Sequence, residues 1–179
     1  MPRIAPLEPP YPADVQASFD AVMKGAPPLM LFRTVARSPR AWAKFRGGSL
    51  LDRGPLGLRQ RELVIDRTCA LAGCEYEWGV HIAALAGAAK LTPEEIAATA
   101  GAGSAAPIWT PAERVLLQTA EALHSRATLS DAEFAALSAH YDADQIFEVL
   151  LLCGFYRMVS YVVGGLDLPL EPGTARFAP

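Results

Sequence analysis

Glu62, Cys74, Glu77 and His81 are the residues through which this sequence can do chemistry. They fall in one short stretch, Arg61-Glu-Leu-Val-Ile-Asp-Arg-Thr-Cys-Ala-Leu-Ala-Gly-Cys-Glu-Tyr-Glu-Trp-Gly-Val-His81. Positions 74, 77 and 81 follow a three-then-four spacing, which sets a thiol, a carboxylate and an imidazole on one helix face. Their apolar neighbours turn that face inward. Ionisable groups gathered in a dry setting suit proton transfer or thiol chemistry.

Glu62 belongs to the preceding helix, where Leu58, Glu62, Ile65, Cys69 and Ala72 form a single stripe. A carboxylate on a buried stripe must be paired, hydrogen-bonded or protonated. Arg61 or Arg67 at the rim could equally pair with it. Gly73 ends this helix, and Cys74 begins the next, where backbone N–H groups and the positive dipole end favour a thiolate. Burial alone also accounts for a cysteine, and Cys69 and Cys153 read as inert core thiols. Glu77 lies one turn from His81, close enough to fix its tautomer or raise its pKa. His124 and His140 have no such company. The quartet's ligand types would suit a metal ion, but the spacings are not those of zinc sites, so no metal and no cofactor is assigned. Arg157 stands in the most apolar helix. It could pair with Glu148, cross a subunit interface or grip an anionic substrate.

The elements that position these groups read as helix after helix, over 13–23, 29–36, 39–52, 58–72, 75–89, 93–99, 111–125, 131–139 and 143–163. Three capping boxes mark helix starts: Thr92-Pro-Glu-Glu95, Thr110-Pro-Ala-Glu113 and Ser130-Asp-Ala-Glu133. Pro93 and Pro111 take the first helical position, where no N–H is needed. No segment alternates with period two, so no strand is expected. Ala83, Ala84, Ala86, Gly87 and Ala88 would let another helix approach closely. The Pro-rich arm 1–12 is expected to lie on the surface or on a neighbouring subunit. The tail 166–179 cannot continue a helix past its prolines.

With 179 residues, half of them hydrophobic, the chain reads as one domain, 1–179, able to bury a core. A net charge of −3 gives no electrostatic case for nucleic acid or an anionic membrane. The apolar stretch Val149 to Val163 is interrupted by Arg157 and Ser160 and is shorter than a span requires. No signal peptide is recognised at the start. Three cysteines, an odd number, argue against a secreted disulfide scaffold. The cytoplasm is the expected compartment.

Four segments carry a resemblance: Leu56-Gly-Leu-Arg-Gln-Arg-Glu-Leu-Val-Ile65, Tyr76-Glu-Trp-Gly-Val-His81, Leu91-Thr-Pro-Glu-Glu-Ile96 and Leu168-Pro-Leu-Glu-Pro-Gly173. Through them the chain resembles the carboxymuconolactone decarboxylase family, which includes the alkylhydroperoxidase D-type disulfide reductases. The resemblance implies an all-α multi-helix bundle of the alkylhydroperoxidase D-like type. It also implies homo-oligomers, trimers or hexamers, with the site near an interface. The peroxidase branch looks like a glutamate, eleven residues, Cys-x-x-Cys, three residues and a histidine. Glu62, Cys74 and His81 match that frame, and Glu77 stands where the second cysteine belongs. A two-thiol cycle then lacks its partner, while a one-cysteine cycle through a sulfenic acid stays open, with an outside thiol as reductant. The decarboxylase branch is similar in carrying Glu-x-x-x-His without thiol, metal or organic cofactor, and Glu77 and His81 fit that form.

The first expectation is therefore a cofactor-independent acid/base enzyme of the decarboxylase type, acting on a small anionic lactone or unsaturated acid. In it, His81 delivers a proton, Glu77 orients it and Glu62 is a second relay carboxylate. The runner-up is a peroxidase with Cys74 as attacking thiolate and His81 and Glu62 as its proton relay. The third reading is a non-enzymatic oligomeric small-molecule binder whose polar cluster is only a satisfied core network.

Overall fold

A computed structural model describes residues 2–50 and 52–177. Met1, position 51 and the tail positions 178–179 lie outside it, so the first residue of the arm, one residue of the expected third helix and the last two of the tail are not described. The helices are α1 (Ala13–Met23), α2 (Met30–Val35), α3 (Pro39–Gly47), α4 (Leu58–Leu71), α5 (Glu75–Leu85), α6 (Pro93–Ala100), α7 (Pro111–Arg126), α8 (Asp131–Ser138) and α9 (Ala143–Leu166). One 3₁₀ turn, Gly103–Ala105, joins α6 to α7, and the described residues contain no strand.

α4 is the axis of the bundle. It packs against α5, α6, α7 and α9, and every residue from Arg61 to Cys69 is buried. Leu63, Val64 and Ile65 are wholly shielded from solvent. Burying each of them contributes about 1.5–3 kcal/mol. A helix buried all round carries its polar groups into the core with it, which is how Glu62 and Asp66 come to lie inside.

The three capping boxes form as expected, and Asp142 and Gln145 make a fourth at the start of α9. Two capping glutamates do a second job. Glu95 and Glu113 both pair with Arg59, at 2.5 and 2.6 Å, and tie the starts of α6 and α7 to α4. α3 stops at Gly47 rather than 52, because Gly47 and Gly48 weaken the helix where Gly48 leaves helical geometry. α5 stops at Leu85 rather than 89, closing through Leu91 N–H to the Ala86 carbonyl at 2.9 Å and a left-handed Lys90. Ala83, Ala84, Gly87 and Ala88 face solvent.

The arm lies across its own chain. Arg3 N–H donates to the Leu166 carbonyl at 2.8 Å and Leu7 N–H to the Arg33 carbonyl at 3.0 Å. The tail folds back onto α5. Glu171 accepts hydrogen bonds from the Tyr76 hydroxyl and the Met30 N–H, each at 2.5 Å. Phe177 packs on Trp78 with centroids 5.0 Å apart. This passage explains Gly79, where an added Cβ would stand 2.4 Å from the Ala175 carbonyl oxygen.

α9 is long and apolar enough to cross a membrane by composition, yet 50% of its most apolar window is buried in the fold. Its buried face is a core face. Its other face leaves Phe147, Leu151 and Tyr161 exposed, at 65, 58 and 64%.

Candidate active site

The turn between α4 and α5 sets the geometry. Gly73 adopts φ +66°, and Cys74 N–H reaches back to the Cys69 carbonyl at 2.9 Å. A left-handed residue with that six-to-one bond reverses the chain tightly at a helix end. α5 therefore doubles back beside α4, and His81 meets Glu62.

His81 Nδ1 lies 2.7 Å from Glu62 Oε2, and its Nε2 lies 3.6 Å from Glu77 Oε1. Glu62 is 1% exposed, His81 5% and Glu77 6%. Arg61 Nε stands 3.5 Å from the second Glu62 oxygen. The Tyr156 ring meets the imidazole edge to face at 5.0 Å. Burial opposes a charged imidazole, but the hydrogen bonds to Glu62 and then Glu77 outweigh it and push the His81 pKa up to about 10. His81 Nδ1 is thus hydrogen-bonded to Glu62, while its Nε2 faces Glu77 across 3.6 Å.

The structure brings Glu62, Glu77 and His81 together in one line. Cys74 is at the start of α5, as expected, and 6% exposed. Its thiol is pushed up by burial, against the pull of the Glu77 N–H and the Ser160 hydroxyl. The favourable helix end is present, and desolvation opposes it, moving the thiol above its ordinary value. Cys69 and Cys153 are buried free thiols, also pushed up by burial.

Asp66 escaped the sequence reading. It lies one turn beyond Glu62 on α4, is 1% exposed, and has neither carboxylate oxygen hydrogen-bonded among the described residues. Burial pushes its carboxyl well above the usual range; His81 opposes this and Glu62 adds to it. The four-residue offset from Glu62 was the signal that could have found it. Atoms of Glu62, Asp66 and His81 lie within 4.8 Å of one another, a donor set of a kind that suits a divalent cation. Here the Glu62 and His81 atoms bond each other.

Of the quartet, Glu77 lines a described cavity. This hollow of about 60 Å³ is walled by Phe32, Trp42, Phe45, Phe155 and Tyr156, with Val22, Arg46 and Ser49 completing it. Arg46 donates to Ser18 Oγ at 2.6 Å and its guanidinium lies 5.9 Å from the Trp42 ring centroid. The order is thus cavity, Glu77, His81, Glu62. Nothing in sequence spacing could bring α3 aromatics and Phe155 to one wall.

Arg157, considered for three roles, does not pair with Glu148. Glu148 sits instead against Gly54, where an added Cβ would stand 2.4 Å from its carboxylate.

Residues 36–122 match the family model described as the carboxymuconolactone decarboxylase family. No curated protein matches the chain. Solved structures share the fold. An uncharacterized peroxidase-related protein from Ralstonia eutropha JMP134, described as an alkylhydroperoxidase AhpD core, superposes with a TM-score of 0.83 at 19% identity, covering 96% of this chain and 93% of that one. An uncharacterized peroxidase-related protein from Silicibacter sp. TM1040 gives 0.81 at 19% identity, covering 93 and 90%. The debrominase Bmp8 gives 0.75 at 18% identity, covering 94 and 92%.

Proposed function

We propose a function for a chain of the carboxymuconolactone decarboxylase and alkylhydroperoxidase D-like superfamily: a cofactor-independent acid/base enzyme that decarboxylates a small unsaturated acid or lactone. The single observation that carries this reading is the unbroken order of cavity, Glu77, His81 and Glu62.

The substrate's reacting carbon enters the aromatic hollow, which at about 60 Å³ takes only that end of the molecule, and a carboxylate lies toward Arg46. The bond to the departing carboxylate breaks, carbon dioxide leaves, and the electron pair stays on carbon. A proton must then reach that carbon. His81 Nε2–H passes its proton to Glu77, and Glu77 delivers it to carbon. The role expected for His81 thus becomes that of a store behind Glu77. Each turnover consumes one proton, which returns to the imidazole from solvent, and Glu62 favours its charged form between turnovers. The 3.6 Å gap closes as substrate fills the hollow, since such bonds are often long before substrate binds. A positioned acid/base group is worth about 10² to 10⁴ in rate.

The test is turnover of a panel of unsaturated carboxylic acids and lactones, read as carbon dioxide release and as deuterium incorporated from heavy water. Glu77→Gln and His81→Ala should each lose about 10²-fold or more. Rates within a few-fold of wild type for both variants would remove the reading.

The thiol-redox alternative draws support from neighbours described as peroxidase-related. It is weakened by the burial of Cys74, which pushes its thiol up against the Ser160 and Glu77 N–H hydrogen bonds that favour a thiolate. A homo-oligomer, trimer or hexamer, belongs to the same proposal and is supported by the exposed Phe147 and Leu151 on α9. A cytoplasmic setting is supported by three free cysteines.

A further inference from the structure

On the side of α9 away from the aromatic hollow, α7 and α9 enclose a second pocket, of about 350 Å³. That volume falls at the lower end of small-molecule sites. Its walls are mostly hydrocarbon, with Leu123 and Leu150 among them, and Cys153 is also in the lining. Its polar groups include Thr68, His124, Arg157 and Tyr161. The Arg157 guanidinium donates through Nη1 to His124 Nδ1, and through Nε to the Tyr161 hydroxyl at 2.9 Å. Arg157 also lies 5.2 Å from the Tyr161 ring centroid.

Among the described residues no carboxylate pairs with Arg157, and none lines the pocket. The nearby Arg67 is neutralised by Glu121 at 2.8 Å. An arginine fixed against a histidine on apolar walls, without a counter-charge, is an arrangement that an anion completes. Burial, Arg157 and Arg67 hold His124 below its ordinary pKa, so it accepts from Arg157 as a neutral ring. Arg157 Nη2 makes no hydrogen bond among the described residues and is left to donate to a carboxylate. The Tyr161 hydroxyl accepts from Arg157 and keeps its own proton to donate.

We propose that this pocket binds a small organic acid, with the carboxylate on Arg157 and Tyr161 and the apolar body against Leu123 and Leu150. The site is separate from the aromatic hollow, so it does not depend on the reaction assigned to Glu77 and His81. Its ligand class is an amphiphilic monocarboxylate about the size of one ring.

Titration calorimetry with benzoate tests this, with benzamide as the uncharged isostere. Benzoate should bind saturably, one per chain, and benzamide at least about tenfold more weakly. Arg157→Gln should lose at least about tenfold in benzoate affinity, a typical worth for a charge-assisted pair. Arg157→Lys keeps the charge without the guanidinium, should lose less, and holds the comparison open if the glutamine variant does not fold. Glu77→Gln should leave benzoate binding unchanged. The proposal is overturned if benzoate shows no saturable binding, or binds the Arg157 variants as tightly as wild type. It is equally overturned if Glu77→Gln abolishes binding, which would move the ligand to the other cavity. A change in sedimentation mass on Arg157→Gln, with benzoate inert, would assign Arg157 to a contact between copies of the chain.

Discussion

His81 Nδ1 stands 2.7 Å from Glu62 Oε2, a bond between the two helices that the Gly73 turn folds together. It joins one residue from the buried middle of α4 to one from a helix that reaches a cavity at Glu77. Both the charge on His81 and the orientation of Glu77 depend on it.

Asp66 gives the first prediction. A carboxyl pKa raised by folding contributes stability that is full below the unfolded value, near 3.8, and is lost as pH rises through the folded value. The neutral Asp66→Asn variant should escape that loss. At pH 8 it should be more stable than wild type, and the gain should shrink as pH falls toward 4. Denaturant unfolding across that range measures it. An asparagine variant less stable at pH 8 than wild type would show that Asp66 holds a counter-ion or partner.

Cys74→Ser tests the place of the thiol. Because the Cys74 proton is held by burial, the variant should keep decarboxylation within a few-fold of wild type. Thiol-dependent peroxide consumption should be slow in both proteins. Rapid consumption by wild type that vanishes in the variant would restore the redox reading.

The tail is the third case. Gly79→Ala would press a methyl group onto the Ala175 carbonyl, so it should cost about 1–3 kcal/mol, as overpacking does. Limited proteolysis should then cut the tail after Leu168 faster than in wild type. Thermal unfolding and cleavage rates unchanged from wild type would show that residues 174–177 do not dock there in solution.

What the sequence made legible follows from local rules. Thr92, Thr110 and Ser130 announce their helices because a cap and its glutamate lie three residues apart and answer each other. That Glu62 and His81 belong to one site was expected from the sequence, but the bond between them was not. The short partner is Glu62 rather than the same-helix Glu77, since packing of α5 on α4 decides the closer contact. The aromatic hollow was not legible. Trp42, Phe45 and Phe155 meet through long-range packing, which leaves no periodic trace in the chain. The same holds for Glu171, whose carboxylate holds Tyr76 from the far end of the sequence.

The most direct measurement is the titration of the His81 imidazole by nuclear magnetic resonance. In wild type its midpoint should lie near 10, with the charged ring's contribution to stability present below about 6.5 and lost as pH rises through that midpoint. In Glu62→Gln the midpoint should fall well below the wild-type one, as burial takes over from the lost carboxylate. A wild-type midpoint at or below 6.5, or one that does not move in Glu62→Gln, would mean that no charged relay stands behind Glu77.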